Sequence, residues 1–244
     1  MTDREIVRSL SASLAADFDD LYADLDRMAT AIRSAVVPEG SSALPDTVGP
    51  FDDEQLVAMR EHAVGLLSRR AMADGAGFIF NADRIAVHEQ LIQWQVRSQD
   101  GGFEPYGFVY DADSTEYYDF MRLPWFETPR RTGTPTLAGP YLDYLGVDEY
   151  VLTATVPMIS GELFIGVSGA DIQVSDLERI MLGRCRGLHI PVALVTAEDR
   201  IVCSTSAHYL PGDRLPETPE AGHRVVLPTR WPTLAVHWGE VRSP

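Results

Sequence analysis

The chain of 244 residues contains only two cysteines, Cys185 and Cys203, and their spacing matches no metal-binding or redox motif. We expect them to be small buried residues and not a disulfide framework. The sequence also lacks a G-x-S-x-G motif, a P-loop and a dinucleotide-binding fingerprint. These absences argue against serine-hydrolase and nucleotide-dependent chemistry, and neither a cofactor nor a metal ion is predicted.

One segment begins like the zinc-binding helix of a metalloprotease. His88 and Glu89 open it, but the second histidine that should follow four residues later is missing. The alternation of the segment predicts a strand instead. His189 and His223 have no nucleophile or carboxylate in motif spacing. The chain is therefore not predicted to be an enzyme, and a hydrolase built on scattered carboxylates is kept as an alternative.

Basic residues are few, since 20 Lys and Arg face 36 Asp and Glu for a net charge of −16. Such a charge repels phosphate backbones and anionic lipid headgroups, which argues against nucleic-acid and membrane-surface partners. A cationic or zwitterionic small molecule fits this balance better.

No run approaches the roughly 20 apolar residues that a membrane helix needs. The first residues also lack the apolar core of a signal peptide. A full-length product with this sequence is expected to stay in the cytoplasm.

The apolar pattern predicts a long helix over residues 3–36, with Thr2 or Asp3 as its cap. Its apolar residues recur at steps of three and four and form a narrow stripe: Ile6, Leu10, Leu14, Phe18, Leu21, Leu25, Met28 and Ile32. The stripe packs either on its own domain or against a second copy of the helix. We expect a homodimer in which these helices meet, while packing within the monomer is kept as the alternative.

The remaining pattern predicts an α+β protein with two lobes. A second helix is expected over residues 52–70, and a short helix or loop over residues 121–131 is expected to cover a sheet. Strand-like runs with Gly101-Gly102 and Ser160-Gly161 at turns build a larger lobe of antiparallel strands. A helix over residues 176–185 and four further strands form a smaller lobe. The predicted boundaries are 1–50 for the N-terminal helix and linker, 51–172 for the larger lobe and 173–244 for the smaller one.

The stretch from Tyr117 to Asp171 concentrates side chains suited to a small zwitterion. The planar guanidinium of Arg122 can donate two parallel hydrogen bonds to a carboxylate. Asp171 ends an apolar strand, where a ligand ammonium would offset the cost of burying the charge of the Asp171 carboxylate. Aromatic rings add cation–π attraction. The alternatives are a surface ion pair for Arg122 with Glu116 or Asp119, and a helix cap for Asp171. The other candidate ligand-binding residues are Tyr117, Trp125, Tyr141, Asp143, Tyr110, Asp111 and Trp94.

These residues resemble the amino-acid- or amine-binding motif of the double Cache (dCache) family of sensor modules. Tyr117, Arg122, Trp125, Phe126, Tyr141, Asp143 and Asp171 stand at the matching positions. Two positions depart from the family pattern, because Leu123-Pro124 separates Arg and Trp by two residues and Phe126 stands where a tyrosine is common. The resemblance implies a long helix backing two PAS-like antiparallel lobes, with the ligand in the larger one.

The resemblance also implies a function. The chain is expected to capture a small amino acid or amine and to pass the signal to a separate signalling or regulatory protein. Family members usually lie outside the cell between two membrane helices, so the chain is interpreted as a standalone cytoplasmic relative or as a piece of a larger receptor. A ligand-free dimerisation scaffold is the alternative from another class.

Overall fold

The computed structural model describes residues 2–36, 47–98, 100–107, 119–142, 149–215, 222–231 and 233–239. The predicted α+β class, with a long N-terminal helix and two antiparallel sheets, is confirmed. The helices are α1 (Asp3–Val36), α2 (Asp53–Arg69), α3 (Pro124–Thr132) and α4 (Val174–Arg184), with 3₁₀ turns at His88–Gln90 and Phe120–Arg122. The strands are β1 (Gly75–Phe80), β2 (Ile92–Arg97), β3 (Phe103–Pro105), β4 (Thr136–Leu142), β5 (Tyr150–Ser160), β6 (Leu163–Gln173), β7 (Val192–Thr196), β8 (Ile201–Ser204), β9 (Gly222–Val226) and β10 (Leu234–Gly239).

Helix α1 begins with a reciprocal cap. The Thr2 backbone N–H donates to Glu5 Oε2 at 2.7 Å, and the Glu5 N–H donates to Thr2 Oγ1 at 3.3 Å. The predicted apolar stripe is buried along its whole length, and Leu14 is 0% exposed. The chain itself thus covers the stripe on which the dimer prediction rested, and the homodimer stays a prediction. Among the described helices, none has both the length and the apolar composition needed to cross a membrane.

Helix α2 begins with a capping box. Asp52 accepts from the Gln55 N–H at 2.8 Å, and the Gln55 side chain accepts from the Asp52 N–H at 3.0 Å. Its buried side is made by Met59, Ala63, Leu66 and Leu67. The helix predicted over residues 52–70 is confirmed.

The larger sheet has the strand order β3-β2-β1-β6-β5-β4, and the pairs β1/β2, β1/β6 and β2/β3 are antiparallel. One face packs on the first two helices. Ser168 Oγ donates to the Leu25 carbonyl of α1 at 2.8 Å, and the Arg97 guanidinium donates to the Leu67 and Arg70 carbonyls at the end of α2. The opposite face is the one left for other elements to cover.

The prediction of a strand around His88 is wrong for the first half of the segment. Residues 88–90 form a 3₁₀ turn, and β2 begins only at Ile92. The Gln90 side chain explains the difference. It accepts from the Phe51 N–H at 2.7 Å and donates to the Phe51 carbonyl at 2.8 Å. These long-range bonds override the local alternation. Most of the run expected as a strand at residues 107–111 lies outside the described residues.

The smaller sheet has the order β8-β7-β10-β9. Every residue of β7 and β8 is buried, so this hairpin forms the core of its sheet. Cys185 and Cys203 are both free and buried, as expected. Burial raises the pKa of the Cys185 thiol to about 11, which keeps it protonated and unreactive near neutral pH.

The chain divides into two compact units. One comprises residues 1–20, 139–152 and 172–244, and the other comprises residues 21–138 and 153–171. The boundaries predicted from sequence, 1–50, 51–172 and 173–244, stay a prediction.

A buried carboxylate joins the first two helices within the second unit. The Asp24 side chain of α1 is 0% exposed and is paired with Arg27, with Arg69 at 2.9 Å and with Arg70 at 2.5 Å. Burial opposes ionisation of Asp24, but hydrogen bonds from Arg70, Arg69 and Arg27 outweigh it and hold the pKa of this carboxyl below its usual range. Two of the arginines come from the end of α2, so the cluster fixes α2 against α1.

We predict that Asp24→Asn lowers the free energy of unfolding by about 3 kcal/mol, because it removes the anion from a buried cluster of cations. The exposed Asp26→Asn change on the same helix is the control and should cost less than about 0.5 kcal/mol. Urea denaturation measures both.

Because the folded-state pKa of Asp24 is depressed, its contribution to the free energy of unfolding is present at neutral pH and is lost as the pH falls. The difference between wild type and Asp24→Asn should therefore shrink below about pH 4, and equal stabilities at pH 7 would contradict the prediction.

Candidate ligand-binding site

The face of the larger sheet opposite α1 and α2 carries two of the residues predicted as ligand contacts, Trp94 and Asp171. In β1, Gly75 pairs with Asp171 of β6, and Gly77 pairs with both Gly169 of β6 and Trp94 of β2. Paired residues of antiparallel strands share a face. We call this surface the site face and define it by Trp94, Asp171, Gly75, Gly77, Gly169, Thr153 and Thr155.

Asp171 is the anionic group of the site face. Its Oδ1 accepts a hydrogen bond from Thr153 Oγ1 of β5 at 2.6 Å, and its backbone carbonyl accepts from the Asp74 N–H at 2.9 Å. The alternative role as a cap of α4 is not supported, because α4 begins at Val174 and its cap residue, Gln173, makes no capping side-chain bond. The carboxylate is thus held on the sheet surface by its neighbours in the sheet.

The Trp94 indole packs against Gly75 and Gly169, which we call the glycine floor, and Trp94 is only 5% exposed. A Cβ atom on Gly75 would stand 2.6 Å from the indole Nε1, and one on Gly169 would stand 3.3 Å from the far edge of the ring, at Cη2. Side chains at these positions would therefore collide with the indole or tighten its packing. The same Gly75 point lies 3.6 Å from Asp171 Oδ2, so the ring edge and the carboxylate are neighbours.

Helix α3 covers part of the site face. Thr155 Oγ1 of β5 donates to the Trp125 carbonyl of α3 at 2.7 Å. Trp125 and Phe126 are 2% and 0% exposed. Phe120 stacks on Trp125, and Phe126 meets both rings edge to face. Pro124 occupies the first turn, and Gly133 ends the helix with φ of 67°. The short helix or loop expected over residues 121–131 is confirmed as a 3₁₀ turn followed by α3.

The other predicted site residues fall into three groups. Arg122 lies in the 3₁₀ turn before α3, its side chain is 88% exposed, and its Nε stands 3.2 Å from Asp119 Oδ2. Tyr141 is half-buried in β4 and belongs to the other compact unit. The remaining predicted positions lie outside the described residues: Tyr117, Asp143, Tyr110 and Asp111.

Sequence reasoning missed the parts of the site face that carry no charge. Thr153 and Thr155 stand two residues apart in an otherwise apolar, buried strand, which is the period that places both on one face. Gly75 and Gly77 show the same period in β1. This alternation of small or hydroxyl residues within buried strands was the available signal.

Residues 66–179 match the family described as "Methyl-accepting chemotaxis protein-like, first PDC sensor domain". This segment contains the site face and α3. No curated protein sequence matched the chain.

Solved structures share the fold over nearly the whole chain. They include the ligand-binding domain of the Pseudomonas aeruginosa PAO1 amino acid chemoreceptor PctC in complex with GABA (TM-score 0.63, 13% identity, 96% of this chain and 95% of that chain). The ligand-binding domain of the Pseudomonas fluorescens chemoreceptor CtaA in complex with L-valine is similar (TM-score 0.61, 13% identity, 97% of this chain and 93% of that chain). The ligand-binding domain of the P. aeruginosa chemoreceptor PctB in complex with L-Gln is also similar (TM-score 0.62, 14% identity, 98% of this chain and 90% of that chain).

Residues 66–179, somewhat less than half of the chain, are thus similar to the first PDC sensor domain of methyl-accepting-chemotaxis-like proteins. The chain as a whole has the fold of chemoreceptor ligand-binding domains, and the resemblance to the double Cache sensor family is confirmed.

We predict that Gly75→Ala lowers the free energy of unfolding by about 1–3 kcal/mol, because the added methyl group collides with the Trp94 indole in a packed layer. Gly107→Ala is the matched control, since no atom of the residues that the structure describes lies within 4 Å of its added Cβ. Chemical denaturation followed by circular dichroism measures both. Equal midpoints for the two variants would show that Trp94 is not confined by the glycine floor.

Proposed function

We propose that the chain is a sensor protein that reversibly binds a small amino acid or amine on the site face of its larger lobe. The observation that carries the proposal is the pairing of a carboxylate, Asp171, with a buried aromatic ring, Trp94, on a surface floored by glycines. A carboxylate beside an aromatic ring is a favourable environment for an ammonium group. The ligands named for the chemoreceptor domains of similar fold, GABA, L-valine and L-Gln, support the same class.

Asp171 is proposed to bind the ligand ammonium. The Thr153 hydroxyl supplies one neutral donor to the carboxylate and leaves its charge in place. The other predicted ligand contacts remain part of the proposal: Tyr117, Trp125, Tyr141, Asp143, Tyr110 and Asp111.

Arg122 is proposed to bind the acidic or polar end of the ligand. Its ion pair with Asp119 lies on the surface, where such pairs contribute at most about 1 kcal/mol. Exchanging Asp119 for a ligand carboxylate would therefore cost little, and it would draw the segment 121–131 toward the site face. Binding would thus shift the population of open and closed forms.

We propose that the protein forms a homodimer and that this dimer passes the signal to a separate signalling or regulatory protein. No specific observation favours a hydrolase or a ligand-free scaffold over this reading.

The proposal is tested by a thermal-shift screen of the twenty α-amino acids, GABA and their decarboxylated amines, followed by isothermal titration of those that stabilise the protein. At least one should raise the melting temperature in a concentration-dependent way. If no member of the panel binds, the proposed function is wrong.

Asp171→Asn should weaken binding of any ligand found in the screen by roughly 10- to 100-fold, because a charge-assisted hydrogen bond to the ammonium is lost. The amide retains an acceptor oxygen for Thr153, so the melting temperature without ligand should change little. Asp26→Asn, an exposed change of the same kind, is the control for loss of charge. Unchanged affinity in Asp171→Asn would remove this residue from the site.

Arg122→Lys should weaken binding of a carboxylate-bearing ligand by about 1.5–3 kcal/mol and leave a carboxylate-free amine unaffected, because lysine cannot form the two parallel bonds of the guanidinium. Isothermal titration with both ligands measures the difference. Equal affinity of variant and wild type for the carboxylate-bearing ligand would exclude bidentate binding by Arg122.

A further inference from the structure

Sulfur side chains meet where helix α4 packs on strand β8 of the smaller sheet. Cys203 Sγ of β8 lies 4.0 Å from Met181 Sδ of α4. Cys185, the cap residue of α4, comes four residues after Met181, and its backbone N–H donates to the Met181 carbonyl at 2.9 Å. Residues four apart lie on one face of a helix, so Cys185 is on the same side of α4 as Met181. Two thiols and one thioether are thus brought to one junction.

This junction is closed to solvent except at the end of the helix. Met181 and Cys203 are both 0% exposed, and Cys185 is 7% exposed. Cys185 is followed by the exposed residues Arg186 and Gly187. A small ion would therefore enter the junction past Cys185.

The charges around Cys203 favour a cation over a bare thiolate. Burial raises the pKa of the Cys203 thiol, and the nearby groups Glu178 and Cys185 raise it further. Both thiols therefore stay protonated without a metal ion. A metal ion reverses this preference, because a thiol that coordinates a cation is deprotonated outright.

The donor atoms select the kind of ion. Two sulfur ligands, each about 2.3 Å from one metal ion, lie about 4 Å apart when the angle between them is about 120°. The 4.0 Å separation of Cys203 Sγ and Met181 Sδ suits this arrangement. Thiolate and thioether are soft ligands, which are the ligands that Cu(I) prefers. Structural zinc takes four ligands, and among the described residues no group of three or more His, Cys, Asp or Glu could hold a metal ion.

We propose that Met181, Cys185 and Cys203 form a binding site for Cu(I), which fastens helix α4 to strand β8. Each thiol that binds the ion loses its proton to solvent. The ion enters and stays as Cu(I), so no electron is transferred. The site lies within residues 174–204 and is independent of the ligand proposed for the site face.

Competition with the Cu(I) chelator bicinchoninate tests the site on reduced protein under nitrogen. Wild type should withdraw about one Cu(I) per chain from the chelator. Met181→Leu removes the thioether and keeps the volume of the side chain. Its affinity for Cu(I) should fall about tenfold or more, since even the loss of an outer partner of a metal ligand costs about 10- to 100-fold. Met59→Leu, at a methionine of α2 that is 1% exposed, is the matched control and should bind as wild type does.

The thiols are tested in the same competition and by thermal unfolding. Cys185→Ala and Cys203→Ala should each weaken Cu(I) binding by about tenfold or more. Cu(I) should raise the melting temperature of wild type, because it binds the folded form. The inference is overturned if wild type withdraws no Cu(I), if Cu(I) lowers the melting temperature, if either cysteine variant binds as tightly as wild type, or if Met181→Leu and Met59→Leu bind equally.

A second measurement uses wild-type protein and does not depend on the folding of a cysteine variant. X-ray absorption of the Cu(I) form should show sulfur ligands at about 2.3 Å and no nitrogen or oxygen ligand. The chain has seven methionines, and the Met181 methyl signal in a ¹H–¹³C spectrum is the one missing from Met181→Leu. Cu(I) should shift this signal and leave that of Met59 in place. Nitrogen or oxygen ligands, or a Met181 signal that does not move, overturn the inference.

Discussion

The close packing of the Trp94 indole on Gly75 and Gly169 is the constraint on which the site face depends. The ring lies against the strands because these positions have no side chains, and a methyl group at Gly75 would stand 2.6 Å from Nε1. The same absence brings the edge of the ring beside Asp171. Two consecutive strands, β1 and β2, and the sequence-distant β6 thereby place one ring and one carboxylate together.

The site face and the helical face of the sheet are linked by a continuous set of polar contacts. The Asp171 carbonyl accepts from the Asp74 N–H, and the Asp74 carbonyl accepts from the Arg97 N–H. The Arg97 guanidinium binds carbonyls at the end of α2, including that of Arg70, whose side chain is paired with the buried Asp24 of α1. A ligand that moves the strand end at Asp171 would therefore act on segments that position α1 and α2.

Similarity to chemoreceptor domains at 13–14% identity shows the fold alone, so the proposed ligand binding rests on the residues of the site face. Those residues combine one anion, hydroxyl groups and aromatic surface, and the proposed binding of an ammonium group depends on this combination. The dimer, the cytoplasmic location and the signalling partner stay predictions. The burial of the α1 stripe means that a dimer has to form through other surfaces of this helix or elsewhere.

The sequence by itself determined the class of fold, because the long 3.6-residue period of α1 and the glycine-punctuated strands depend on local spacing. It also singled out Asp171, since a carboxylate at the end of an apolar strand is costly wherever that strand lies. Only the tertiary structure decided that Gln90 turns residues 88–90 away from a strand, that Asp24 is buried among three arginines, and that Trp94 meets Asp171. The physical reason is that these contacts join residues tens of positions apart, and local periodicity carries no information about which strand pairs with which.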